Sequence, residues 1–225
     1  MKRAKLLMAA LVCCFCFDAI AKDTFVLARH KNSPSLDPCY EVVTQAYRAL
    51  RINLRVNEYP GRRSLQLANS GKVDGDLCRI TQVAESYQNL LPVTPFIMSM
   101  SIVAITRKGV ADINSLVDLG GRSVGSERGM QAVELVVRDR KIHYENDGID
   151  LIRLLDTGFI DVVLLTKGDI ELLKNKGLLA QVKVHPKWLY QVKMFHYIHK
   201  KHRLLIPALS QQITKAMKGM QGLNR

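Results

Sequence analysis

Two distant stretches of this chain are written in the same order. Ser70-Gly71-Lys72-Val73-Asp74-Gly75 is matched by Thr157-Gly158-Phe159-Ile160-Asp161-Val162. Each reads as a helix end, a glycine stop, an apolar residue, an aspartate and the start of a strand. Each strand then closes on a polar residue, Arg79 in the first and Thr166 in the second. One sheet does not readily generate such a repeat. It predicts two similar lobes whose strand ends face a shared cleft, the place where open α/β sheets gather ligands.

The intervening pattern supports the same architecture. In the first half, strands are expected at Thr24 to Ala28 and Asn53 to Tyr59, with helices over Pro38 to Arg51 and Arg62 to Ser70. Ser35 or Asp37 is the expected cap of the first helix, with Pro38 in its first turn. A short helix over Thr81 to Asn89 and an irregular Leu90 to Pro95 bridge lead into a long apolar strand, Phe96 to Thr106. The second half repeats the alternation, with helices over Ile113 to Leu119, Met130 to Arg140, Asp147 to Thr157 and Asp169 to Asn175. A strand at Leu179 to Val184, a hairpin-like return at Tyr190 to Lys200 and a closing helix from Leu204 to Met220 complete the chain. Strand–helix–strand units of this kind imply mainly parallel sheets with helical crossovers.

The first 21 residues read as an export signal. Lys2, Arg3 and Lys5 precede an apolar run of 12 residues, Leu6 to Phe17, and Ala19-Ile20-Ala21 supplies a cleavage pattern, so the mature chain begins at Lys22. Removing residues 1–21 takes three of the 33 basic and one of the 20 acidic side chains, so the formal charge falls from +13 to +11. The basic groups are scattered and few aromatics lie between them, which argues against a nucleic-acid surface and for a field that attracts small anions. Two cysteines remain, Cys39 and Cys78. In an exported chain they invite one disulfide, closing a loop of about 40 residues; two separate buried thiols are the alternative. The cysteines and histidines show no zinc spacing, and no metal or other cofactor is expected.

With these features in order, the chain resembles the family 3 extracellular solute-binding proteins, the periplasmic receptors of ABC uptake systems. The resemblance rests on the Gly-x-x-Asp-Gly at Gly71, a Pro-flanked crossover strand, and Ser115-Leu116-x-Asp118-Leu119-x-Gly121-x-x-Val124-Gly125. The second Gly-x-x-Asp and His199-Lys200-Lys201-His202 before the last helix complete it. It implies a type II periplasmic binding fold: two α/β lobes, each a mainly parallel sheet with flanking helices, joined by two crossover strands and closing on a ligand. Lobe 1 would hold residues 22–105 and 191–225, and lobe 2 residues 106–190. The resemblance also implies a monomer in the periplasm without enzymatic activity. Its partners would be a small molecule and either an ABC permease or a membrane sensor. Where the family's amino-acid binders carry a carboxylate-binding arginine this chain has Ser86, where they carry an ammonium-binding aspartate it has Thr166, and their anion loop becomes Gly129-Met130-Gln131.

The candidate ligand-binding residues are Arg79, Arg63, Arg29 and Tyr40 in the first lobe, and Ser126, Arg128, Gly129 and Thr166 in the second. Arg79 is the expected replacement clamp, because a guanidinium fork suits carboxylate or phosphate. The expected ligand is a small polar solute, an anionic group being favoured by the basic balance. A dehydratase-like periplasmic enzyme on the same fold is the alternative, with Glu127 and His30 as its acid–base candidates. A ligand sensor not coupled to transport is a further one.

Overall fold

The computed structural model describes residues 24–31, 33–137 and 139–223. The expected signal peptide and the mature start at Lys22 lie outside them. The first half runs β1 (Phe25–His30), α1 (Asp37–Ala49), β2 (Leu54–Tyr59), α2 (Gly61–Asn69), β3 (Gly75–Ile80) and α3 (Val83–Ser86). A long strand, β4 (Leu90–Arg107), leads into β5 (Val124–Glu127), α4 (Gln131–Val136), β6 (Ile142–Glu145), α5 (Gly148–Asp156), β7 (Val162–Thr166) and α6 (Lys167–Asn175). A second long strand, β8 (Val182–His199), returns to the first half, where α7 (Ile206–Leu223) packs against α1 and β4.

The strands are ordered β2-β1-β3-β8-β4-β7-β5-β6. Pairing is parallel within β1, β2 and β3 and within β5, β6 and β7. It is antiparallel wherever β4 or β8 takes part. This corrects the expectation of two separate sheets: the eight strands form one hydrogen-bonded sheet, because the ladder between the two crossover strands joins the parallel strands of one half to those of the other. The first half-sheet uses the end of β8, where Gly75 faces Ile198. The second uses the end of β4, where Ile102 faces Thr166. Between them only β4 and β8 remain, with Met98 to Ile102 paired in regular register with Met194 to Tyr190.

Each crossover strand is bulged at a proline, and β8 carries a further register shift at Leu189, between the Ile102–Tyr190 and Val103–Trp188 pairs. On β4 the register jumps between Val93 and Met98, across Pro95; on β8 it jumps between Val184 and Trp188, across Pro186. Proline has no N–H for the ladder, so it is accommodated where pairing is already broken. This corrects the expected hairpin-like return and separate Leu179 to Val184 strand: His185-Pro186-Lys187 is a bulge within one strand, not a turn between two. His185 holds it, accepting from the Ile113 amide at 3.0 Å and bonding Thr106 Oγ1 at 2.9 Å. Leu90 to Pro95 likewise belongs to β4 and is not an irregular bridge. Two expected helices shrink, to Val83–Ser86 and Gln131–Val136, and Ile113 to Leu119 keeps only a 3-10 turn. Leu36, not Ser35 or Asp37, occupies the cap of α1, because the Asp37 carboxylate is engaged by Arg29.

The repeated aspartate has a structural job, and it is the same in both halves. Asp74 N–H donates to Val26 O at 2.7 Å, and its carboxylate accepts from Val26 N–H at 2.9 Å. Asp161 N–H donates to Ser123 O at 3.0 Å, and its carboxylate accepts from Ser123 N–H at 2.9 Å. Each aspartate therefore ties the entry of the third strand of its half, β3 or β7, to the entry of the first, β1 or β5. A basic clamp completes each one: Lys201 at 2.8 Å and His202 at 2.6 Å on Asp74, and Arg107 at 3.2 Å on Asp161. Burial pushes the Asp74 carboxyl up, but the bonds from Lys201, Val26 and His202 outweigh it and hold it below the usual range.

His196 is buried on β8 and joins three elements. Nδ1–H faces the carbonyls of Leu77 and Asp76 at 3.1 and 3.2 Å, so Nε2 accepts from Tyr47 O–H at 2.9 Å. Burial holds the ring neutral, with its pKa lowered to about 4. Cys39 of α1 and Cys78 of β3 are disulfide-bonded, with Cα atoms 6.3 Å apart and a sequence separation of 39. A loop of that length is worth about 4 kcal/mol in the chain-entropy model.

Asp74→Ala removes the amide cap together with both basic contacts and should lower unfolding free energy by roughly 2–3 kcal/mol, whereas Lys201→Met removes one partly exposed partner and should cost less than about 1 kcal/mol. Urea melts of the two variants measure this; equal losses would contradict it.

Candidate functional site

The C-terminal ends of the parallel strands from both halves converge above β4 and β8. His30 ends β1 and Glu127 ends β5, in equivalent positions. Arg79 lies next to last in β3, and Thr166 ends β7. These four residues, with Asp169, Gly129 and Gln131, border a cavity of about 50 Å³ floored by Met100 and Met194. One water needs about 10–15 Å³, so the space holds only a few.

The first-half wall is set by a bulge. In a regular strand Asp76 and Arg79 would point to opposite faces. The register shifts between them, which puts both on one face. Arg79 Nε then donates to Asp76 at 2.9 Å, and Nη2 donates to Ser64 Oγ at 3.0 Å. Ser64 Oγ in turn donates to the other Asp76 oxygen. Asp76 and Ser64 are fully buried and Arg79 is 6% exposed, so the guanidinium is both held in place and charge-matched. His30 beside it is neutral: burial, then the Arg79 charge, lower its pKa to about 4.

The opposite wall is acidic. Asp169 is the third residue of α6, and a reciprocal cap fixes it. Its N–H donates to Thr166 Oγ1 at 3.2 Å, while its carboxylate accepts from the Thr166 amide and hydroxyl. Burial still raises its pKa. Glu127 is pushed up to about 7, by burial first and then by the charges of Asp169 and Asp147. Neither Glu127 nor Asp169 has an ion pair with any described residue.

The two walls meet through glycine. A β carbon on Gly168, at the start of α6, would lie 2.7 Å from Ser35 Cβ and 3.0 Å from Ser35 Cα. One on Gly129 would lie 4.0 Å from Gly61 Cα. A side chain at Gly168 would hold the halves apart, while a β carbon at Gly129 would make an ordinary contact.

Of the residues expected from sequence, Arg79, Thr166 and Gly129 border this cavity. Arg29 does not: it pairs with Asp37, donates to Ser33 O at 2.9 Å and covers the Tyr40 ring at 5.7 Å, which accounts for Tyr40 too. Arg63 is exposed on α2. Ser126 is buried and donates to Leu164 O at 3.0 Å. Arg128 donates to Tyr144 O at 3.2 Å and lies 6.0 Å from that ring. Trp188 is 61% exposed on β8 and lines neither wall. Sequence reasoning missed Asp169 as a site residue and gave Glu127 and His30 only a catalytic role. The Thr166-x-x-Asp169 spacing at a strand–helix junction was the available signal for Asp169.

No protein-family model matches the chain. An uncharacterized protein of Shewanella oneidensis is 22% identical, over 89% of this chain and 85% of that one. A histidine kinase sensor domain with similarity to periplasmic binding proteins superposes with a TM-score of 0.73 at 15% identity, covering 88% of this chain and 92% of the other. An amino acid ABC transporter substrate-binding protein of Streptococcus pneumoniae, bound to L-arginine, gives 0.68 at 16% identity over 87% and 90%. At these identities the likeness shows the fold, which is the type II periplasmic binding protein fold.

Glu127 makes a signed pH prediction. Its carboxyl keeps a proton up to about pH 7 when folded, against 4.5 ordinarily. Its contribution to stability is therefore full below the ordinary value and gone above about pH 7. Glu127→Gln has nothing to lose in that window, so its stability relative to the parent should rise between about pH 4.5 and 7 and then level off. His30 and His196 act in the opposite direction in both proteins and cancel in the difference. Melting temperatures of the pair across that range test this; an offset independent of pH contradicts it.

Proposed function

We propose that this chain is a periplasmic solute-binding protein that takes a small polar solute between its two walls and releases it unaltered. The observation that carries the reading is the pair of half-buried Glu127 and buried Asp169, without a basic partner among the described residues, opposite a preset guanidinium. Two desolvated carboxyls, the charge of Asp169 further raising the pKa of Glu127, favour an incoming positive group. Arg79 is already matched by Asp76, so an anionic group alone gains little there. The best-fitting solute carries a positive group, alone or with an anionic one.

The present cavity is too small for such a solute, so the two halves must open to admit it. The regular Met98 to Ile102 and Met194 to Tyr190 ladder, which joins the half-sheets along the two crossover strands, is the proposed hinge. On this reading the lobes comprise residues 22–105 with 191–225, and 106–190. The closed form is what an ABC permease recognises. Reporting to a membrane sensor is the second reading, favoured by the likeness to a kinase sensor domain.

A thermal-shift screen of the mature chain against amino acids, amines and dicarboxylates tests the reading, because a ligand specific to the folded state raises the melting temperature with the logarithm of its concentration. Solutes with a positive group should shift it and dicarboxylates should not. Recovery of the bound solute unchanged separates capture from the dehydratase-like alternative. Gly168→Ala touches no solute but obstructs closure, and should weaken binding about tenfold, or ~1.4 kcal/mol. Full affinity in that variant would remove closure from the mechanism.

A further inference from the structure

Asp76 and Cys78 make demands on β3 that a regular strand cannot meet. Residues two apart in a strand share a face. Asp76 accepts from Ser64 of α2, while Cys78 is bonded to Cys39 of α1. The strand order β2-β1-β3 sends α1 from β1 to β2, and α2 from β2 back across β1 to β3. Right-handed crossovers that run in opposite directions lie on opposite faces of a sheet. Asp76 must therefore face one way and Cys78 the other.

The bulge reconciles them. Between the Asp76–Tyr197 and Arg79–Phe195 pairs, Leu77 and Cys78 stand together against His196 alone. His196 is tied to Tyr47 of α1 at 2.9 Å, and it faces the carbonyls of Leu77 and Asp76 at 3.1 and 3.2 Å. These hydrogen bonds favour the bulge, but only the covalent bond forbids the alternative. With Asp76 in place and no bulge, Cys78 would turn to the α2 side and Arg79 to the α1 side, away from Asp76 and Ser64.

We propose that the Cys39–Cys78 bond is a positioning element of the solute site: it locks the β3 bulge, and the bulge holds Arg79 at the inner cavity. The preset guanidinium is then a property of the oxidised chain, and the site is complete only where disulfides persist. An arginine freed from Asp76 and Ser64 cannot stay buried without a counter-charge, so it turns to solvent. The inference rests on Arg79 belonging to the solute site, but its test needs no solute, so its failure and that of the solute reading are told apart.

Arginine tagging with phenylglyoxal, read by peptide mass spectrometry, tests it. Three forms are compared: the oxidised mature chain, the same chain reduced with dithiothreitol and freed of reductant without air, and Cys39→Ala/Cys78→Ala. Arg79 should be tagged about tenfold faster in both disulfide-free forms, with Arg29 of the same half unchanged. Tyr47→Phe, which frees His196 but keeps the disulfide, should behave as the oxidised chain. Equal tagging of Arg79 with and without the bond overturns the inference. So does an equal rise at Arg29, because the bond is then a staple of the whole first half and sets no particular side chain.

Discussion

The antiparallel ladder between β4 and β8 is the constraint on which the rest of the structure depends. Every other strand is attached, directly or through a neighbour, to one end of it. The ladder has to be continuous enough to hold two half-sheets in register and interrupted enough to let each twist independently. Register shifts at Pro95, Leu189 and Pro186 divide it, leaving a short regular run whose two ends pair with one half each, Met194 with Ile80 and Ile102 with Thr166. The greater part of the buried apolar side chains forms one cluster reaching from β1 to β7, with a smaller one on the far face of the second half. The two halves thus share apolar contact in this closed form.

Polar groups are treated differently on the two sides of the site. In the first half a buried arginine, aspartate and serine satisfy one another, and a neutral histidine lies beside them. In the second half the carboxyls have local caps but no counter-charge among the described residues. A buried ion pair is weak evidence for stability, and a buried unpaired acid is a cost. Such a cost is retained where another molecule relieves it, which is why the acidic wall and not the arginine points to the solute. The basic balance of the whole chain is a property of its outer surface; the acidic wall runs the other way.

The family resemblance was useful for architecture and less so for contacts. It implied the two crossover strands, while the internal repeat pointed to the strand ends, and Arg79 and Thr166 lie at the strand ends the repeat marked. It also drew attention to Arg29, Arg63 and Arg128, residues of the right chemistry near the right strand ends. Arg29 and Arg128 turned out to serve neighbouring loops and rings, and Arg63 stands exposed on α2. Position along a strand says which edge a residue approaches, but not which competing partner reaches its side chain first.

The amino-acid order by itself determined the alternation of strands and helices, the doubling of the unit and the aspartate at each strand entry, because these depend on local periodicity, glycine stops and short-range hydrogen bonds. Only the tertiary structure decided the site. Asp76 reaches Arg79 because a bulge turns one strand residue by half a period, and Glu127 and Asp169 of the second half oppose Arg79 because the two half-sheets face one another. Those are relations between segments far apart in the chain, and no local pattern encodes the distance between them.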